Sequence, residues 1–404
     1  MTSEKKTILL LGGSRQQVPV IEKARELGYR TVLIDYLTDN PGQFVADKWY
    51  SESTTDIEAV YRIAKEEKAK GILAYASDPA ALPAAIVCER LGLPSNPARS
   101  IEILGVKHEF RKFLKDNDFA CPASITFSPE IAIDELSKEL SKLKFPIVIK
   151  PTDSSGSKGV TFLNNLDNLK QAIAHADEYS RNKILIAEEY IQRGFPYVIG
   201  GDIFIEEGKI ILLGQMACMR ENDGKALIPI GKRLPSGITP SQESAIRGEL
   251  QRLIDILSIK TGEMNVEIIL DDNSNVHFLE LGPRAGGNMI PIQLSDAFGI
   301  DLIKANVLAA MGVPINLNPR KPKGCYMTYV LHSLSDGIYE NVAYSSELEP
   351  FIYRRVHYKK PGDIVEKFDG AGKALGIVFM RFPDEKTMAD IQSRLSNLIK
   401  IVLK

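Results

Sequence analysis

A mixed architecture, α/β giving way to α+β, is predicted for this 404-residue chain by three observations. Residues 7 to 95 alternate apolar β-rich runs with helical stretches, the signature of a wound parallel sheet. The length exceeds that at which one hydrophobic core stops growing, so two or three domains are expected. Late in the chain, MNVEIILDDNSNVHFLELGPR reads as two apolar strands joined by an Asp/Asn/Ser turn, an antiparallel hairpin.

Within the first part, TILLLGG, RTVLIDY and GILAYAS are strand-like, while VPVIEKARELGY and PAALPAAIVCERLG are helical. Asn96 and Pro97 open a further helix ending near Gly105, and HEFRKFLKDN continues helically toward Pro122, marking a domain junction. From FPIVIKPTDSSGSKGV to about residue 310, strands, the hairpin and helices mix. Beyond Gly312 and Pro314 a polar connector leads to an antiparallel tail with GKALGIVFMRF and a last helix, MADIQSRLSNLIKIVL.

Fifty basic against 52 acidic residues leave a formal charge of −2, which gives no global field for nucleic acid or an anionic membrane. Cys88, Cys121, Cys218 and Cys325 form no CxxC pair, and the five histidines lack metal-ligand spacing, which argues against zinc and a disulfide framework. MTSEKK has no apolar signal core and no apolar run approaches the roughly 18 residues of a membrane span, so the expectation is a cytoplasmic protein.

The hairpin is the most informative segment. With Asp272 to Asn275 as its loop, Asp271 opposes Val276, and stepping outward places Glu267 across from Glu280 on one face. Cross-strand neighbours lie roughly 4.5–5.5 Å apart and like charges there destabilise a sheet, so a cation is expected between them. Mg²⁺ is the simplest, and it commonly accompanies nucleotide phosphates. The competing reading is an edge strand with one carboxylate turned to solvent. Lys150 ends another strand before a loop of small residues, Asp153 to Gly159, whose N–H groups can approach phosphate oxygens. It matches neither GxxxxGKS nor GxGxxG, and a plain hairpin tip is the alternative. LLLGGSRQQ with Asp35 resembles a dinucleotide-fold opening, but the glycine spacing is wrong and a structural turn is favoured. Glu188 to Ile191 sit at a strand end where a linker could meet a purine. Lys107 lies on a helix with Phe110, Phe113 and Leu114, while Arg220, Lys232 and Arg233 are read either as phosphate contacts or as exposed loop charge.

In this order, Lys107, FPIVIKP, SSGSKGV, AEEYI, Glu267 and ELGPRAGGN resemble the ATP-grasp superfamily of carboxylate–amine ligases over nearly the whole chain. The chain is similar to single halves of the carbamoyl-phosphate synthetase large subunit and to L-amino-acid ligases. The resemblance implies the ATP-grasp fold: an N-terminal βαβ, Rossmann-like domain (1–100), a two-lobed ATP-binding domain (101–310, hinge near 188–191) and a small C-terminal α+β domain (311–404). It implies an ADP-forming ligase that phosphorylates a carboxylate to an acyl phosphate and joins it to an amine, with an amino acid involved. ATP and Mg²⁺, or Mn²⁺ in its place, are the implied cofactors, and relatives often homodimerise.

By the same resemblance Lys107 and Lys150 contact the ATP phosphates and the loop of Ser154, Ser155, Gly156, Ser157 and Gly159 closes over them. Glu188, Glu189, Tyr190 and Ile191 hold the adenine edge, Glu267 and Glu280 the metal. Arg284, Gly286, Gly287 and Asn288 receive the substrate carboxylate, with Arg284 and Lys150 catalytic. Two departures stand out. Gly282 occupies a position where the family often has a metal-binding Asn, and Pro196 one where relatives carry a ribose-binding Glu, with Asp202 as a candidate replacement. They motivate a rival reading as a nucleotide-binding regulatory pseudo-enzyme; an NAD-dependent oxidoreductase on the first domain is the lesser one.

Overall fold

The structure is a computed structural model that describes residues 5–154, 156–220 and 228–404. The first unit comprises β1 (Thr7–Leu11), α1 (Val18–Glu26), β2 (Arg30–Ile34), β3 (Lys48–Tyr50), α2 (Ile57–Glu66), β4 (Ala69–Leu73) and α3 (Asp78–Leu91). Its strands form a parallel sheet in the order β3-β2-β1-β4. TILLL is buried throughout because both faces of the sheet are covered: Leu9 and Leu11 pack with residues of α2 and α3, Ile8 and Leu10 with α1 and with Val307 and Ala310 from a later helix. Asp56 caps α2 by accepting from the Glu58 and Ala59 N–H groups, and Gly92 at φ +63° ends α3 in the left-handed conformation.

Two helices, α4 (Ala98–Gly105) and α5 (Lys107–Asp116), lead into β5 (Ser124–Phe127), α6 (Ile133–Leu140), β6 (Ile147–Pro151), β7 (Thr161–Leu163), α7 (Leu169–Glu178) and β8 (Leu185–Glu189). These strands form an antiparallel sheet ordered β5-β8-β6-β7. Ile147, Ile149, Leu185 and Ala187 bury one face against α6 and α7. By the two-residue period of a strand, Lys150 and Glu188 therefore lie on the other face.

The remaining elements are β9 (Val198–Glu206), β10 (Lys209–Arg220), β11 (Pro229–Leu234), α8 (Pro240–Ile256), β12 (Gly262–Leu270), β13 (Val276–Gly282), α9 (Ile290–Phe298), α10 (Leu302–Ala310), β14 (Cys325–Leu331), β15 (Gly337–Tyr344), β16 (Ile352–His357), β17 (Ile364–Val365), β18 (Gly376–Phe382), α11 (Glu385–Ser393), α12 (Leu395–Leu398) and β19 (Ile399–Leu403). An eight-stranded antiparallel sheet runs β13-β12-β9-β10-β11-β14-β18-β16, so the hydrogen-bond ladder continues from the hairpin into the C-terminal segment. A small sheet, β17-β15-β19, completes the tail. The last helix expected over MADIQSRLSNLIKIVL stops at Leu398; IKIVL is a strand paired with β15, with Ile401 opposite Val342. Its β-branched run finds a strand partner, which outweighs the helical pattern before it.

On β12, Met264, Val266, Ile268 and Leu270 point into a core shared with α4, α5 and α8, among them Ile101, Phe110, Leu250 and Leu253. Glu263, Asn265 and Glu267 consequently share the opposite face.

Candidate active site

Glu267 pairs with Glu280 in the β12/β13 register. The route differs from the expected one. Leu270 opposes Val276, so Asp271 to Asn275 form the turn, with Asp271 accepting from the Asn273 and Asn275 N–H groups. A bulge between Glu267 and Ile268 then takes up the one-residue offset and returns the two carboxylates to opposite positions. Their side chains are 19 % and 36 % exposed.

Cations from other strands and helices surround this pair. Arg220 Nη2 lies 2.9 Å from Glu267 Oε2 and Lys107 Nζ 3.9 Å from Glu280 Oε1. Burial raises the Glu267 carboxyl, but Arg220 and the buried Lys232 more than offset it and hold it below the ordinary carboxylate range. Arg220 and Lys232 thus sit on strands, β10 and β11, the first partly buried and the second buried, not on an exposed loop. Arg233, the next residue along, turns the other way, stacking over Tyr197 at 4.8 Å and donating to Gln392.

Lys107 opens α5, and its N–H donates to Thr152 O at 2.9 Å, which ties the helix start to the end of β6. Its ammonium also donates to Ser154 O. Beyond it, Gly156, Ser157 and Gly159 all take positive φ, +67°, +61° and +71°, and a Cβ at Gly156 would meet nothing within 4 Å. The loop expected to cover phosphates therefore stands open beside Lys107; Ser155 lies outside the described residues. Buried Lys150 forms an ion pair with Glu188 at 2.6 Å, and Arg111 Nε approaches the same carboxylate at 2.8 Å. Burial lowers the Lys150 ammonium from its ordinary value against the pull of Glu188, whereas Glu188, despite burial, is held at about 2 by Arg111 and Lys150. Arg111 also donates to Leu279 O, so one guanidinium links the small sheet to the strand carrying Glu280.

At the expected hinge the side chains do not converge on a base. Glu188 is committed to Arg111 and Lys150, and Glu189 accepts the Lys144 N–H at 2.7 Å. Tyr190 sets its ring edge-on to Phe162 with centroids 5.3 Å apart, and its N–H donates to Pro146 O. Ile191 packs beside Val198, Cys218 and Ile269.

Following β13, Arg284 lies 2.7 Å from Asp78 at the start of α3, which joins this loop to the first unit. A Cβ on Gly282 would lie 3.0 Å from Arg284 Cζ and 3.1 Å from Asp78 Oδ1, so the glycine leaves room for the guanidinium where the resemblance anticipates Asn. The Gly286 N–H donates to Asp202 Oδ2 at 2.8 Å and the Asn288 N–H to Gln16 Oε1 at 2.6 Å; Asn288 and Met289 both take positive φ. Asp202 is fully buried beneath this loop and cannot serve as the ribose ligand considered from sequence. Asn288 Oδ1 and Arg284 Nε are buried without a hydrogen-bond partner, which suits a loop built to receive a polar ligand. Gly287 lies between these two anchors, with Gln16 Oε1 3.5 Å from where its Cβ would be.

Sequence reasoning did not single out Arg111, Asp78, Gln16 or Glu263. Each acts across a long sequence separation, and no local spacing marks it.

The Gly12-Gly13 turn holds no space for a dinucleotide: a Cβ at Gly12 would lie 2.3 Å from Gln17 Nε2, and that amide donates to Leu11 O and Tyr75 O. Asp35 accepts from the Gly13 and Leu37 N–H groups and from Asn40, so its carboxylate is consumed within the turn.

Among the described residues no three His, Cys, Asp or Glu side chains converge as a metal set. Two partly exposed carboxylates fit a magnesium ion that keeps waters and phosphate oxygens as its other ligands. No helix of the described residues is long and apolar enough to cross a membrane.

Residues 143–292 match the model of the ATP-grasp domain. The carbamoyl phosphate synthase large chain of Thermotoga maritima is 21 % identical over 72 % of this chain and 26 % of its own length, so the chain spans about a quarter of the curated relatives it matches. The L-amino acid ligase of Bacillus licheniformis superposes with a TM-score of 0.82 at 17 % identity, covering 100 % of both chains. The biotin carboxylase domain dimer of Hydrogenobacter thermophilus 2-oxoglutarate carboxylase, solved with MgADP, ADP and bicarbonate, gives 0.76 at 19 % identity, covering 99 % of this chain and 91 % of that one. With its parallel first sheet, small antiparallel sheet and large antiparallel sheet, the chain has the ATP-grasp fold, and the segment similar to the ATP-grasp domain takes in strands of both antiparallel sheets.

Proposed function

We propose that this protein is an ATP-dependent, ADP-forming carboxylate–amine ligase that activates a small-molecule carboxylate as an acyl phosphate and joins it to an amine, with an amino acid among its substrates. The observation that carries this reading is the Glu267–Glu280 pair, opposed in register and ringed by Arg220, Lys107 and Arg284. In such a reaction a carboxylate oxygen attacks the γ-phosphorus of ATP, and the charge spread over the transferring oxygens must be neutralised. Lys107 and Lys150 would orient phosphates, and the loop through Gly156 and Gly159 would exclude water, since hydrolysis would waste the acyl phosphate. Arg284, with the Gly286 to Asn288 backbone, would hold the substrate carboxylate. Glu267 and Glu280 would hold Mg²⁺, which supplies charge neutralisation at the phosphates when bound. The proposed division of labour is 1–100, 101–310 with its hinge at 188–191, and 311–404.

The test is incubation with ATP, Mg²⁺ and a pool of amino acids. ADP and phosphate released only when amino acids are present support the proposal. AMP and pyrophosphate would point to adenylation instead, and tight ATP binding with no turnover to a regulatory role.

A further inference from the structure

A second acid pair lies on the same sheet face as Glu267. Asp202 opposes Asn265 across β9 and β12, and Glu263 stands two residues before Asn265. Asp202 is 0 % exposed and Glu263 4 %. Asp202 Oδ1 accepts the Asn265 amide at 2.7 Å and Oδ2 the Gly286 N–H at 2.8 Å. Glu263 Oε2 accepts the Asn306 amide from α10. The two carboxyl groups lie close enough that each influences the other's ionisation, and Glu263 Oε1 is the one oxygen of the four without an N–H donor.

Two ionised carboxylates in contact and out of water repel strongly, and only one of them can readily carry charge. The cations that face the pair are engaged elsewhere: Arg284 with Asp78 and Lys232 with Cys218 Sγ at 3.0 Å, while the buried Tyr75 adds no positive charge. A proton on Glu263 Oε1, donated to Asp202, satisfies every oxygen. Burial and the Asp202 charge both push the Glu263 carboxyl well above the ordinary range, in agreement with that placement.

We propose that Glu263 is a positioning residue that works as a neutral acid: it donates to Asp202, fixes that carboxylate as the acceptor of the Gly286 N–H, and thereby sets the loop that receives the substrate carboxylate. The link to substrate rests on the ligase reading above; the shared proton does not. A Cβ at Gly286 would fall 2.5 Å from Asp202 Oδ1, so the loop backbone is seated directly on this acid.

Three variants of the full chain test the proposal. Glu263→Gln keeps an N–H donor for Asp202 and an oxygen for Asn306, so it should retain wild-type kinetics. Glu263→Ala should raise the KM for the carboxylate substrate about tenfold and leave the KM for ATP unchanged, the effect of one lost hydrogen bond on one ligand. Asp202→Asn cannot accept both N–H groups as Asp does and should lose at least as much. Independently of turnover, the infrared spectrum at neutral pH should contain a protonated-carboxyl band that Glu263→Gln lacks, and hydrogen exchange at the Gly286 amide should quicken in Glu263→Ala but not in Glu263→Gln. Absence of the band from the wild type, or a Gln variant as impaired as the Ala variant, overturns the proposal. A wild type that forms no ADP yet shows the band and the exchange pattern would instead overturn the ligase reading and leave the acid pair standing.

Discussion

Strand β12 carries two acid pairs that solve the same electrostatic problem in opposite ways. Glu267, opposite Glu280, is partly exposed and has cations around it, which hold the Glu267 carboxyl below its ordinary range. Glu263, against Asp202, is sealed between β12, β9 and α10, and a proton does what Arg220 and Lys107 do at the rim. The lesson is that exposure, not sequence, decides whether facing acids are balanced by surrounding cations or by a proton: both pairs sit on one face, four residues apart along one strand.

Breaking the rim pair should give the largest functional effect. Glu280→Ala is expected to lower ATP turnover by about a thousandfold or more while changing urea-unfolding stability by no more than about 0.5 kcal/mol, because it removes a like-charge neighbour along with a proposed metal ligand. Lys150→Ala and Arg284→Ala should abolish turnover as well, and Lys150→Ala should also destabilise the protein, since it removes one of the two cations that neutralise buried Glu188. Breaking the sealed pair should reverse the balance between activity and stability: Asp202→Ala orphans the Gly286 and Asn265 donors and should cost about 2–4 kcal/mol of unfolding free energy.

Titration sharpens the contrast. Glu188, held at about 2 against an ordinary 4.5, contributes stability that is complete above pH 4.5 and is lost as the pH falls toward 2. Glu263 is raised, so its contribution is complete below pH 4.5 and is lost as the pH climbs through its folded value. Urea unfolding across pH should therefore favour Glu263→Gln over the wild type increasingly toward alkaline pH, and Glu188→Gln over the wild type only toward acid pH. A parallel response of the two variants would contradict this assignment. The smallest effect is expected for Gly282→Asn, which must displace the Arg284 guanidinium: KM for the carboxylate should rise about fivefold, while the Mg²⁺ concentration for half-maximal rate should fall.

Much of the scaffold could be read from local pattern. The first sheet announces itself in fully apolar strands, and the hairpin in alternation around Asp/Asn/Ser residues. The opposition of Glu267 and Glu280 was legible although the turn is longer than the pattern suggested, because the bulge after Glu267 restores the register. Nothing in a single strand reveals that compensation. Arg111 and Glu263 were illegible for a different reason: a helical arginine and a strand-start glutamate resemble surface charge until Glu188 and Asp202, far away in sequence, are brought beside them. Arg220 and Lys232 looked like loop charge because their strand setting depends on β10 and β11 pairing with each other and with β9 and β14. The tail misled through IKIVL, whose partner β15 lies some sixty residues upstream.

The interval from Glu263 to Glu267 has a consequence for how this chain can vary. Because successive residues of a strand alternate sides, inserting or deleting one residue there would turn one of the acids into the core occupied by Met264 and Val266, disabling either the proposed loop anchor or the proposed cation site. The Asp271 to Asn275 reversal faces no such constraint on its length. Length changes among descendants of this sequence should therefore accumulate at the tip of the hairpin, and its base should keep its residue count unaltered.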